Sequence, residues 1–470
     1  MDAGHFDANT AYAAINTLRL DEMHPHLFRT HDGGKTWTEI DDGITDGAAT
    51  STIREDPKRK GLLYAGTETQ VYVSFDDGDH WQSLRLNMPA SSVRDLEVKD
   101  DDLIAGTHGR GFLILDDVTP LRQISARLAG DKVHLYTPGT AIRIRGDMNP
   151  PTPWPPDMAT GTNPPDGAIF DYYLGPNISG VVTLEVLDSK GQLIARYNSN
   201  DPVPELDPRH YPVPILWARP PRVLSAEPGE HRVLWNLQYQ QVPGMPMEPS
   251  GDEAVPHDTP STSTAPWVLP GKYTVRLTAA GETESQSFEV VMDPRVKTPV
   301  PDLEAQFTLA KSIYDDMIQA TTAIDEITAL RQQLKERSGQ AQVAGAGPSI
   351  GSKLDAIAGR EERGRDGAGG GPRGGRAAGP ANLSTVRAQL ARLEHEIEAA
   401  DTAPTTTQAE TSLKAEQPLA ALLQQWQHVK QTDLNSLNNQ LQRSHLAKLD
   451  LDTNRIDREE QEEIDMGDEE

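Results

Sequence analysis

Two groups of side chains in this sequence have the types and spacing to do chemistry. The first is a glycine-flanked turn, Gly106-Thr107-His108-Gly109-Arg110-Gly111. Its imidazole and guanidinium, two positions apart, can both donate hydrogen bonds to a hydroxyl-rich or anionic ligand. The second is an N-terminal set of metal-ligand residue types: His5, Asp7, Asp21, His24, His26 and His31. These read as turn and surface groups rather than ligands, with Arg19 and Asp21 able to form an ion pair. No metal site and no cofactor are expected. The chain has no cysteine, which removes thiol nucleophiles, disulfide scaffolds and cysteine-ligated zinc.

The elements that must position these groups are announced by a repeat. Thr30-His31-Asp32-Gly33-Gly34-Lys35-Thr36-Trp37 recurs as Ser74-Phe75-Asp76-Asp77-Gly78-Asp79-His80-Trp81, 44 residues on. That spacing suits four-stranded propeller blades. In each copy the aspartate (Asp32, Asp76) accepts from turn amides, and the glycine (Gly34, Gly78) takes a positive φ. The tryptophan (Trp37, Trp81) is expected to fold beneath the turn and cap the hydrophobic layer. These carboxylates are therefore structural, not catalytic. A third unit from Asp101 through Gly106–Gly111 to Asp117 has no such turn.

Composition sets the wider frame. Hydrophobic residues make up 36%, with 38 Gly and 36 Pro, which suits turn-rich β modules. With 44 basic against 71 acidic residues the net charge is −27, so phosphate backbones are repelled and nucleic acid is a poor partner. The arginines of Arg373-Gly374-Gly375-Arg376 lack the interleaved aromatics of an RNA-binding segment. No apolar run reaches the ~18–20 residues a membrane span needs, and the residues following Met1 carry no signal-peptide pattern.

The fold expected is mainly β: a partial β-propeller of two to three blades over residues 1–125, then a Pro-rich connector over 126–168. An immunoglobulin-like β-sandwich follows over 169–297, with alternating strands such as Val181–Leu187 and Gly271–Leu277. Apolar stripes stepping by three and four predict an α-helical bundle over 302–338 and 381–450. Residues 339–380, rich in Gly and Arg, are expected to be disordered, and 451–470 to form a solvated acidic tail.

The tryptophan-terminated turns resemble the BNR, or Asp-box, repeat. With Asp7–Tyr12, Arg19–Glu22, Gly106–Phe112 and Leu115-Asp116-Asp117, they resemble large bacterial BNR-repeat proteins called glycosyl hydrolases, with sortilin-like propellers. The likeness extends through Pro164–Ala168, Asp171–Leu174, Leu234–Leu237 and Pro270–Val275, similar to a flagellar-hook-capping type of immunoglobulin-like module, to Asp433–Asn438. It implies a secreted protein with further blades upstream, so the chain is expected to be a fragment, or to be completed by another chain. Two functions follow from it: a scaffold that binds a glycan or an extracellular protein, or a sialidase-like glycoside hydrolase whose catalytic residues lie mostly upstream. A sialidase site requires an arginine cluster, a Tyr–Glu nucleophile and an acidic residue; the aromatic and proline that mark such propellers are missing around Arg143-Ile144-Arg145. Within this chain His108 and Arg110 are the expected ligand contacts.

Overall fold

The computed structural model describes residues 1–125, 130–145, 164–203, 214–217, 223–243, 245, 263–360 and 380–451. The molecule is mainly β, with several antiparallel sheets followed by a helical C-terminal region.

Three meanders open the chain. Strands β1 (Asp2–Ala3), β2 (Ala11–Ala14), β3 (Leu27–Thr30) and β4 (Thr38–Glu39) form the first sheet in sequence order. Strands β5 (Thr50–Glu55), β6 (Leu63–Thr67), β7 (Val71–Ser74) and β8 (Gln82–Ser83) form the second. Strands β9 (Val93–Lys99), β10 (Asp102–Thr107) and β11 (Phe112–Leu115) form a third sheet, three-stranded among the described residues. The middle sheet is buried on both faces, as its unbroken apolar runs demand. Leu63, Ala65, Tyr72 and Trp81 pack with Tyr12, Leu27 and Ile40 of the first sheet. Leu62, Tyr64, Val71 and Val73 pack with Val93, Leu96, Leu103 and Ala105 of the third. The meanders are thus stacked face to face.

The two repeat tryptophans differ. Trp81 is 4% exposed: its amide donates to the Asp42 carbonyl at 2.8 Å and its indole Nε1 to the Ile40 carbonyl at 2.6 Å. Trp37 is 41% exposed. The expectation that both rings are buried caps holds for Trp81 and fails for Trp37. The reason lies in the direction of packing, since Trp81 is covered by the segment after β4 of the preceding sheet. Among the described residues no sheet precedes the first.

A second β unit pairs two sheets. One is three-stranded, ordered β12 (Val133–Leu135), β14 (Ala168–Leu174), β17 (Gly229–Trp235). The other is five-stranded, ordered β13 (Ala141–Arg143), β19 (Glu282–Met292), β18 (Gly271–Ala279), β15 (Thr183–Leu187), β16 (Leu193–Asn198). Their inner faces share a core of Phe170, Tyr172, Trp235, Leu184, Val275 and Phe288. Burial alternates along β14 and β18 with the period of two that their sequences show. The connector expected over 126–168 is therefore shorter: β12 and β13 belong to the sandwich, tied in by Val133↔Leu174 and by parallel pairing of Ala141 with Val290. Its Pro-rich part, 146–163, lies outside the described residues.

The helical region comprises α1 (Val300–Glu336), α2 (Ala341–Ala358), α3 (Leu383–Glu398), α4 (Thr406–His428), a π-turn (Val429–Leu434) and α5 (Asn435–Arg443). The predicted stripes are internal: Ile313, Met317, Ile327, Leu390, Leu422 and Trp426 share one core. Thr405 and Asn382 start α4 and α3 with capping boxes. The expected disorder over 339–380 is corrected for 341–358. There Val343, Ile350, Leu354 and Ile357, spaced by seven, four and three, are buried against α1 despite the surrounding Gly and Pro348. Residues 361–379, with the arginine-glycine segment, and the tail from 452 lie outside the described residues.

Candidate functional site

Each meander has two ends, and the chemistry-bearing residues divide between them. One end carries the two repeated Asp–Gly turns, Thr30–Trp37 and Ser74–Trp81. Asp32 Oδ1 accepts from the Thr36 amide at 2.9 Å and Oδ2 from its hydroxyl at 2.7 Å, and these bonds hold the carboxyl down at about 2. Asp76 Oδ1 accepts from the His80 amide at 2.9 Å. Burial pushes that carboxyl up, but the bonds from His80 and Ser74 together bring it below the usual range. Gly34 and Gly78 lie at φ +84° and +93°. A Cβ on Gly78 would stand 2.5 Å from Ile40 Cδ1, so this glycine is required by packing as well as by backbone conformation.

At the same end the first two sheets are clamped by a network the repeat pattern did not disclose. The Tyr12 hydroxyl donates to Asp77 Oδ1 at 2.6 Å and approaches Glu55 Oε1 at 3.4 Å. Arg29 donates to Asp77 Oδ2 at 3.1 Å and to Asp79 at 3.0 Å. His31 bridges Asp77 at 2.9 Å and Thr10 at 2.9 Å. A tyrosine, three carboxylates, an arginine and a histidine are residue types a glycosidase uses. Their arrangement does different work: burial, followed by the bond to Asp77, pushes the Tyr12 phenol far above its ordinary range. Protonated, it donates its hydrogen bond to Asp77 and so ties the first sheet to the second. The one available signal was Asp77, which stands where the first repeat has Gly33.

The opposite end gathers the β2–β3 segment, the β6–β7 turn and the β10–β11 turn. Asn16 Nδ2 bonds Ser51 at 3.2 Å, Glu68 accepts from Arg94 at 2.9 Å, and the His108 amide donates to the Ser92 carbonyl at 2.8 Å. His108 and Arg110 sit on this rim with exposed side chains that make no hydrogen bond or ion pair among the described residues. The turn holding them has Gly109 at φ +90° and Gly111 at φ +64°.

The N-terminal cluster does not converge. His24 bonds Asp46 and Asp41, each at 3.0 Å, and His26 bonds Glu22 at 2.7 Å and Glu39 at 2.9 Å. His31 is in the inter-sheet clamp. His5 donates its amide to Glu55 at 2.7 Å, and Asp7 accepts from Asn9 and Thr10. The bond to Asp46 raises the basicity of His24, and those to Glu39 and then Glu22 do the same for His26. Among the described residues no set of three or more such side chains could hold a metal ion. Arg19 and Asp21 are both exposed and form no ion pair with each other; Asp21 instead closes a short turn in the left-handed region at φ 57°.

Arg143 and Arg145 reach from the sandwich to the helical region. Arg143 donates to Asp401 Oδ1 at 2.6 Å and the Val268 carbonyl at 2.8 Å; Arg145 donates to Asp401 at 2.7 Å and Glu398 at 2.7 Å. Both guanidinium groups lie over the Trp267 ring. They join the sandwich to the α3–α4 corner.

No family model and no curated protein matches the chain. Among solved structures, a YCF48 protein bound to a D1 peptide aligns at 21% identity over 20% of this chain and 30% of that one, with a TM-score of 0.17. The extracellular domain of a one-component system from B. thetaiotaomicron aligns at 8% identity over 58% of this chain and 29% of its own, TM-score 0.17. A two-component counterpart from the same organism aligns at 9% identity with the same coverages and score. The chain thus spans under a third of each of these proteins. Among the described residues no helix is long and apolar enough to cross a membrane.

Proposed function

We propose that the three stacked meanders are consecutive blades of an Asp-box propeller, and that the sandwich is its immunoglobulin-like companion. The protein acts outside the cytoplasm as a scaffold that binds a glycan or a protein at the rim formed by the β10–β11 turn. The observation that carries this reading is a contrast between the two ends of the meanders. At the Asp-box end Tyr12, Arg29, His31 and Asp77 are committed to one another, whereas on the opposite rim His108 and Arg110 are exposed and uncommitted. A preorganised turn bearing free donors is equipped to bind.

The test is a binding screen of the full chain on a panel of acidic and neutral glycans, repeated with His108→Ala/Arg110→Ala. The expected result is at least one saturable glycan whose affinity falls about tenfold or more in the double variant, the scale of a lost charged hydrogen bond, with an unchanged melting curve. A glycan retained equally by both proteins, or none bound by either, overturns the rim as a glycan site.

A further inference from the structure

Among the described residues the third sheet differs from its two siblings in one respect: no fourth strand pairs with its third, β11. In the first sheet β4 pairs with β3, and the Leu27 carbonyl accepts from the Ile40 amide at 2.8 Å. In the second, β8 pairs with β7, and the Val71 carbonyl accepts from the Leu84 amide at 2.9 Å. The residues at the same place on β11 are Phe112 and Ile114. Thr107 donates to the Gly111 carbonyl across the β10–β11 hairpin, so Leu113 and Leu115 are the residues whose backbone groups face β10. The N–H and C=O of Phe112 and Ile114 point outward, and no described residue bonds them. Their side chains are 78% and 55% exposed, whereas Leu27 and Val71 are buried.

The sibling sheets also show what the absent strand carries at its end. In the first, Asp41, just past β4, pairs with His24 of the β2–β3 segment at 3.0 Å. In the second, Ser83 of β8 bonds Gln70 of the β6–β7 turn at 2.8 Å. In both, the strand that completes the sheet reaches back to the turn joining its second and third strands. The corresponding turn of the third sheet holds His108 and Arg110, whose side chains have no partner among the described residues.

We propose that the outer edge of β11 receives an extended peptide strand from another polypeptide, antiparallel to Phe112–Leu115, which places an acidic side chain on Arg110 and His108. The occupant is specified by register. The residue opposite Phe112 is apolar, as Ile40 and Leu84 are opposite Leu27 and Val71, and acidic residues follow it toward the turn. An exposed edge with outward backbone groups supplies the affinity of strand addition, and the exposed apolar side chains and the basic turn supply its selectivity. This deepens the reading above, since both use Arg110, by making the partner a protein segment.

The probe is a labelled synthetic peptide with the chain's own sequence Thr36–Gly43, which carries Ile40 followed by Asp41 and Asp42. It is titrated into the full protein by fluorescence anisotropy. Saturable one-site binding is expected. Ile114→Pro should weaken it about tenfold or more by deleting an outward N–H; proline is tolerated at a solvent-facing edge position, so the melting curve should not move. The peptide N-methylated at its Ile40 amide should bind similarly poorly to the wild-type protein, a result that does not depend on how the variant folds. Arg110→Ala, or a peptide with both aspartates changed to asparagine, should lose affinity and most of the salt dependence. Absence of saturable binding overturns the proposal, as does equal binding of the N-methylated and parent peptides. Glycan binding that survives Ile114→Pro while the peptide is lost separates this site from the rim reading; loss of glycan binding with retained peptide binding in His108→Ala does so in the other direction.

Discussion

The indole of Trp81 is enclosed by the segment Ile40–Gly43 of the neighbouring sheet, and a Cβ on Gly43 would stand 2.3 Å from the Trp81 carbonyl oxygen. Removing that ring empties a filled core site and strands the Ile40 carbonyl. Trp81→Ala is therefore expected to destabilise by about 3–5 kcal/mol in urea titrations. Trp37, at the same repeat position, has no such cover, and Trp37→Ala should change stability by under about 0.5 kcal/mol. Equal losses from the two substitutions would show that Trp37 is packed in solution. The turn chemistry of Asp32, Gly34, Asp76 and Gly78 was legible in the sequence because it is local: each bond spans four residues or fewer. The fate of the ring was not, because it depends on a different sheet. The same limit hid the clamp of Tyr12, Arg29 and Asp77, whose partners lie 48 and 65 residues apart in the chain.

Among the elements, the helical region was read from its apolar stripes, and what those stripes could not disclose is the polar residue placed among them. Glu394 of α3 is 1% exposed, and neither of its carboxyl oxygens has a hydrogen-bond partner. Burial, with a smaller push from Glu398, raises its pKa well above 4.5, against the opposing pull of Arg145. The folded protein thus keeps a proton that the unfolded chain releases above its ordinary pKa. The folded state binds more protons, so this group lowers stability as pH rises from about 4.5 until the folded pKa is passed. Asp316 on α1, raised to about 6 by burial and then Glu416, acts in the same direction over a lower window. Between pH 6 and 8 Glu394 contributes to a loss that His24, His26 and His80 share, since their carboxylate partners raise their basicity in the folded state and that stabilisation fades as pH rises. Glu394→Met, which keeps the volume and removes the carboxyl, is expected to stabilise the protein at pH 8 by on the order of 1–3 kcal/mol. It should also make the stability profile between pH 6 and 8 less steep, leaving the slope that the histidines contribute. A denaturation midpoint that falls as steeply with pH in the variant as in the wild type would assign that dependence elsewhere. Helix α2 was the converse failure: glycine and alanine content suggested disorder, but four apolar residues at helical spacing suffice once α1 offers a face to bury them.

At the scale of the whole molecule, two arginines, Arg143 at the end of β13 and Arg145 just past it, are expected to decide whether sandwich and helices unfold together. Arg143 meets Asp401 across 258 residues of sequence, and both side chains are almost fully buried. Nothing around Arg143-Ile144-Arg145 in the sequence points to the α3–α4 corner. The contact is reinforced by Thr298, whose hydroxyl donates to the Asp401 carbonyl at 2.5 Å, and by Tyr314 of α1, which donates to the Gln240 carbonyl at 2.8 Å. A buried pair of this kind adds little net stability over an apolar substitute, but removing one partner leaves a buried charge uncompensated. Arg143→Ala leaves Asp401 with Arg145 alone, so the cost should fall at or below the low end of about 3–5 kcal/mol. The larger effect is on cooperativity, because the loss falls at the junction and not in either core. In the wild type, unfolding followed by helical circular dichroism and by the fluorescence of the sandwich tryptophans Trp235 and Trp267 should coincide. In Arg143→Ala the helical signal should be lost at a lower denaturant concentration than the sandwich signal. Coincident transitions shifted together would mean that the apolar contacts of Tyr239 with Phe307 and Tyr314 couple the two units without the ion pairs.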